Sequence, residues 1–233
     1  MRFIQKLHIL MSAILLISLA GCKPSEKVAV TEPPLQIQTN EALQGTSLEI
    51  IFRKGPEHNH PLMAVWVEDA NGNFLQTLYV AESIGKGVFQ HGDASSGKWM
   101  PGEIRRPAAL PVWSHRRGIK AEDGLYIPSA KNPVADAVTG ATPSADFNLL
   151  TKLPSDTPER IKVFFEINQT WDFNEFWTNN KHPDNDEYKT SCQPALVYSA
   201  EIDLREKGKV YDLQLIGHGH YAGEDGNLYT DVS

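Results

Sequence analysis

The stretch "LMAVWVED", residues 62–69, decides the fold reading. Every side chain from Leu62 to Val67 is apolar, so neither face of an extended chain there would face water. A strand on a half-solvated sheet alternates apolar and polar residues, whereas a short unbroken apolar run with turn residues after it fits a central strand covered on both sides. The turn signal is Asn71-Gly72, followed by "NFLQTLYVA", residues 73–81. Asn-Gly between two strand-like runs predicts a hairpin with a type I′ turn, because both central residues of that turn need positive φ.

Further strand patterns lie on either side. "SLEIIFRK", 47–54, puts Leu48, Ile50 and Phe52 on one face, with Glu49 and Arg53 on the other. "IKVFFEIN", 161–168, predicts that Ile161, Val163, Phe165 and Ile167 face inward. "ALVYSAEIDL", 195–204, and "VYDLQLIG", 210–217, flank "REKGK", a second hairpin with Gly208 at its turn. Between Glu82 and Pro158 runs an irregular stretch rich in Gly and Pro, with Trp99 and Trp113. It is too long for a structureless loop in a compact domain, so short strands are expected within it. Helical periodicity is nearly absent. The exception is "DFNEFWTNN", 172–180, where Asp172 and Glu175 have capping-box spacing. These patterns predict an all-β fold, an antiparallel β-sandwich with extra loops and one short helix. Residues 46–233 exceed the ~100 residues of a seven-stranded sandwich, so additional strands or decorated loops are expected.

The N-terminus points to export. Arg2 and Lys6 form a basic region, and "ILMSAILLISLA", 9–20, is an apolar segment short for a membrane span. It runs into Leu19-Ala20-Gly21-Cys22, where small residues before a cysteine suit cleavage by a lipoprotein signal peptidase. An ordinary secretory signal with an incidental Cys22 is the alternative. The expected organisation is a signal peptide over 1–21, acylated Cys22, a Pro/Glu/Thr-rich flexible linker over 22–45, and a β-sandwich domain over 46–233. Lys23, not Asp, follows the anchor, which in a Gram-negative cell fits the outer membrane, facing the periplasm.

The chain has two cysteines; with Cys22 acylated, Cys192 has no intramolecular disulfide partner. Cys192 lies in "TSCQP" without a CxxC pair and reads as a buried small apolar residue. The formal net charge is −7; removing Arg2 and Lys6 leaves 20 basic residues against 29 acidic ones, net −9. An acidic domain is a poor match for phosphate backbones, which argues against nucleic acid as a partner.

Three segments, "HPLMAVWVEDANGNFLQTLYV", "DAVTGAT" and "FFEINQTWDFNEFWTNN" with "QPALVYSAEIDL" after it, resemble a family of periplasmic proteins catalogued as domain of unknown function 2271. The resemblance covers the chain from about Ser47 onward and implies an immunoglobulin-like β-domain. It also implies an association with extracytoplasmic flavin transferases and membrane reductases, and hence with envelope electron transfer. Fold and association alone assign no activity.

"DAVTGAT", 136–142, matches the pattern Asp-x-x-Ser/Thr-Gly-Ala-Ser/Thr, on which some envelope proteins carry FMN esterified to the last hydroxyl. In that reading Thr142 is the acceptor, Asp136 positions the segment, and Gly140 lets the backbone approach closely. A separate transferase would be needed, because no base adjoins the hydroxyl. Pro143 stiffens the chain just after the acceptor, and no dedicated FMN-binding domain surrounds the motif. The competing reading is a plain turn in which Asp136 bonds backbone amides, Gly140 takes positive φ and Thr142 begins a strand.

Two histidine pairs, His58/His60 and His218/His220, have i, i+2 spacing, which places both rings on one side of a strand and suits a divalent metal. The reading expected over a metal site is that they are exposed polar residues near turns. The aromatic run Trp171, Phe173, Phe176 and Trp177 is either an exposed platform or the closure of one core end, and the second is expected. Arg105, Arg106, His115, Arg116 and Arg117 form a candidate anion site or a solvated loop. No nucleophile elbow, P-loop, HExxH or dinucleotide fingerprint occurs in the sequence. The expectation is a membrane-anchored, non-enzymatic accessory or binding module, with an FMN carrier as the alternative and a His-rich metal binder as a third.

Overall fold

The computed structural model describes residues 33–135 and 138–231. The signal segment, Cys22 and Asp136 lie outside the described residues.

The apolar run forms β3 (Leu62–Asp69), near the middle of a six-stranded sheet. The order is β11 (Gln214–His218), β10 (Leu196–Asp203), β9 (Arg160–Asn168), β3, β4 (Phe74–Ala81) and β7 (Thr139–Gly140). Met63 through Val67 are fully buried. Met63, Val65 and Val67 enter one core, while Leu62, Ala64 and Trp66 enter a second on the opposite face. Burying such side chains stabilises by roughly 1.5–3 kcal/mol each, which is why this run is confined to the sheet interior. Trp66 stacks on Phe164 with ring centroids 5.0 Å apart, and its Nε1–H donates to Glu68 Oε1 at 2.9 Å.

A second sheet, ordered β1 (Leu35–Thr39), β8 (Phe147–Lys152), β2 (Ser47–Phe52), covers part of the first face. The fold is therefore all-β and sandwich-like, without closing into a barrel. The sheets are mixed, not purely antiparallel: β1 runs parallel to β8, and β7 parallel to β4. The linker expectation over 22–45 is corrected at its end, since Leu35–Thr39 is a strand. Within it, Ile37 packs on the core and the buried Thr39 hydroxyl hydrogen-bonds to Leu78 O (2.8 Å) and Thr151 Oγ1 (2.9 Å). Five residues of modest hydropathy, held by cross-sheet bonds, look like linker in composition alone.

The opposite face of the large sheet is closed by the segment expected to be irregular. It holds α1 (Glu82–Lys86), β5 (Val88–Asp93), β6 (Met100–Glu103) and α2 (Pro111–Arg116). Leu110, Val112 and Trp113 carry α2 into the second core, and the Trp113 indole N–H donates to Thr77 Oγ1 at 3.1 Å.

Two local expectations are corrected. The β3–β4 turn has positive φ only at Gly72 (85°), not at Asn71, so it is not type I′. The Asp69 carboxylate organises the turn instead: it accepts from the Asn73 side-chain amide at 2.7 Å and from the Asn73 and Asn71 backbone amides at 2.9 and 2.8 Å, and these bonds lower its pKa. Residues 172–180 are not helical. Asn174 Oδ1 accepts from the Phe176 and Trp177 amides, both at 2.8 Å, and this competes with a helical start. The helix of this region is α3 (Asp186–Lys189), capped by Asn185 through the Tyr188 amide at 2.8 Å.

Candidate binding groove and the threonine loop

Three strands cannot cover six. The small sheet seals Met63, Val65 and Val67 on β3 and Leu78 and Tyr79 on β4, but β9 and β10 extend beyond it. Between β2 and the Leu204–Leu213 connection the sandwich stays open as a groove of about 1510 Å³. Phe165 and Ile167 on β9, with Tyr198 and Ile202 on β10, line it from the large sheet; Leu48, Ile50 and Phe52 line it from β2. All seven are half-buried, neither sealed like Val65 nor free like a surface residue. Their placement follows from strand alternation: the inward-facing residues of β2 and β9 meet across the gap.

The groove lining carries more acid than base: six carboxylates, Glu49, Glu57, Asp172, Asp203, Glu206 and Asp212, against Arg53, Lys207 and Lys209. Glu49, Glu57, Asp172 and Asp212 form no salt bridge among the described residues. Asp203, also on the lining, is tied to Arg205, whose guanidinium holds the carboxyl well below the usual range.

Thr142 follows β7 on the way to β8. It is half-exposed, and its hydroxyl has no hydrogen-bond partner among the described residues. Ala141 beside it is exposed, but Pro143 is buried and its carbonyl meets His58 Nε2 at 2.8 Å. The Tyr79 hydroxyl donates toward the Gly140 and Ala141 carbonyls at 3.1 and 2.9 Å, clasping the loop. Burial pushes that phenol above its ordinary pKa, which keeps it a donor. The turn reading of Gly140 is corrected: it lies in β7 without positive φ. A Cβ there would approach the Tyr79 ring to 3.0 Å, so close packing explains the glycine. Tyr79 thus occupies one side of Gly140.

The histidine pairs stay apart in their bonding. His58 packs on Phe52, and His60 has φ of 50° and bonds Asn59 Oδ1. They lie in a turn region, so the same-side strand argument fails for them. His218 bonds the Gly219 carbonyl and Asp231; His220 Nδ1 accepts from the Ala222 and Glu224 amides at 3.3 and 3.4 Å. Among the described residues, no group of three or more His, Cys, Asp or Glu side chains could hold a metal ion.

The aromatic run is not a core closure. Trp171, Phe173 and Phe176 are 48%, 51% and 67% exposed, and Trp177, half-buried, reaches the groove. The basic residues do not pool into one anion site. Arg105 pairs with Asp123, and Arg116 lies 3.8 Å from Glu68. Arg106 lies over Phe89 and Trp171, and Arg117 over Trp113; desolvation lowers the pKa of both guanidiniums. Cys192 is buried, as expected, and burial raises its thiol pKa.

Glu166 had no sequence signal beyond its place in "FFEIN". It is fully buried, and its two oxygens accept from the Val112 (3.1 Å) and Trp113 (2.7 Å) amides. Desolvation pushes its pKa up to about 8 although both amide bonds pull the other way. It fastens α2 to the sheet on the face opposite the groove.

No family model, curated protein or solved structure matches the chain.

Proposed function

We propose that the chain is an exported protein, anchored to the cell envelope by acylated Cys22, that works as a non-enzymatic binding module through the groove between β2 and β10. One observation carries this: an apolar, half-buried trough of about 1510 Å³ opens the sandwich core to solvent. Interior surface of that extent is costly to leave wet and marks an interaction site. The resemblance to the periplasmic family and the signal pattern ending at Cys22 support the envelope setting. The full chain should enhance the fluorescence of the neutral apolar dye Nile red, and Ile202→Asp in the trough should abolish the enhancement. Unchanged dye binding in that variant overturns the assignment of the trough.

A second reading, FMN ester-linked to Thr142, is favoured by the half-exposed Thr142 on a clasped loop, its hydroxyl without a hydrogen-bond partner among the described residues. A flavin transferase would form the Thr142 Oγ1–phosphorus bond and break the pyrophosphate of FAD, releasing AMP and the hydroxyl proton. Co-expression with such a transferase should then add the mass of one esterified FMN, and Thr142→Ala should abolish the addition. An unmodified wild-type chain under those conditions excludes this reading.

A further inference from the structure

The groove has a shape and a hydrogen-bonding edge as well as apolar lining. β2 ends the small sheet; among the described residues its only strand partner is β8. The Leu153 amide donates to Thr46 O at 3.0 Å, so in the antiparallel register Leu48, Ile50 and Phe52 turn their backbone groups toward β8. The backbone N–H and C=O of Ser47, Glu49 and Ile51 therefore point outward, along the groove. Beside them lies bare large-sheet floor: Phe165, Ile167, Tyr198 and Ile202. A missing strand of the small sheet would sit there, about 4.8 Å from β2, with alternate side chains on that floor.

We infer that the groove captures an extended peptide segment of a partner protein, which pairs with the outer edge of β2 and completes the small sheet. This rests on the groove being the binding site. The occupant has alternating apolar side chains and basic ends. The alternation follows from the floor, which meets every second residue of a strand. The basic ends follow from the excess of carboxylate on the lining: Glu49, Glu57, Asp172 and Asp212 form no salt bridge among the described residues, whereas of the three lining cations Arg53 and Lys209 are already paired and only Lys207 is not. Size decides against a compact small molecule, since the groove exceeds the ~300–1,000 Å³ of such pockets. The six residues of β2 offer a ladder about 20 Å long.

The probe is a fluorescent synthetic peptide of alternating valine and threonine with lysine pairs at both ends, titrated with the full chain. Two companion peptides carry N-methyl groups on alternate residues, one in each phase; they keep every side chain but lose the ladder donors on one edge. The unmodified peptide should bind, and one N-methylated phase should bind at least about tenfold more weakly. Ile51→Pro removes an outward N–H at a position 55% exposed, leaves the β8 ladder in place, and should weaken the unmodified peptide similarly. Should that variant fail to fold, the N-methyl comparison decides alone. Equal binding of all three peptides overturns strand pairing. No peptide binding while Nile red still binds overturns the peptide occupant and leaves the groove assignment standing; loss of both overturns the two together.

Discussion

Glu166→Gln tests how a carboxyl with no cation partner among the described residues is tolerated inside this protein. The wild-type side chain is fully buried, and its pKa is pushed from the ordinary 4.5 to about 8 by desolvation. A raised folded-state value means that the native protein holds a proton the unfolded chain has released. Stability is therefore full below about pH 4.5 and falls as pH rises through the window up to about 8. Across pH 5 to 8 the loss works out at roughly 3 to 4 kcal/mol. Glutamine cannot ionise, so this loss should vanish. Its amide offers one acceptor oxygen where Val112 and Trp113 present two N–H donors, so at pH 5 the variant should be less stable by about 1–3 kcal/mol. The two stability curves should converge or cross as pH approaches 8. Urea unfolding followed by tryptophan fluorescence at unit pH steps gives both curves. Parallel pH profiles for wild type and variant would refute the claim that Glu166 is held protonated by burial.

Three further outcomes follow from packing. Trp113→Ala should cost about 3–5 kcal/mol, because a fully buried indole is lost and Thr77 loses its donor; the urea midpoint reports it. Tyr79→Phe should cost about 1–2 kcal/mol and speed amide hydrogen exchange near the β7–β8 loop, since both carbonyls of Gly140 and Ala141 lose their clasp. Thr39→Val should destabilise by about 1–3 kcal/mol in the same urea assay, and an unchanged midpoint would return β1 to the status of a linker.

Period-2 alternation made β2, β9 and β10 legible, and the unbroken run at Leu62–Val67 marked the central strand before any pairing was known. These signals are local: each depends on how one strand meets its own two faces. β1 and β8 were hidden because their few apolar residues sit among polar ones, and their stability comes from partners far away in sequence, as with Thr39 and Thr151. The 172–180 segment misled because capping-box spacing says nothing about Asn174 bonding the next amides instead.

The candidate site divides in the same way. Residue identity alone marked Thr142, the four histidines and the aromatic run, because chemistry-bearing side chains are visible in one dimension. Whether Gly140 turned or packed depended on the Tyr79 ring, and the histidines' separate partners depended on loops from different parts of the chain. Neither the groove nor the buried acid had a sequence signature. A trough exists only because one sheet is narrower than the other, and the pKa of Glu166 depends on what covers it. The sequence by itself determined the strand-rich fold class and the acidic character of the chain, since periodicity and charge are properties of short segments and of composition. The tertiary structure alone decided which apolar residues stay half-wet and which edge stays unpaired, because both depend on how many strands each sheet recruits across long sequence separations.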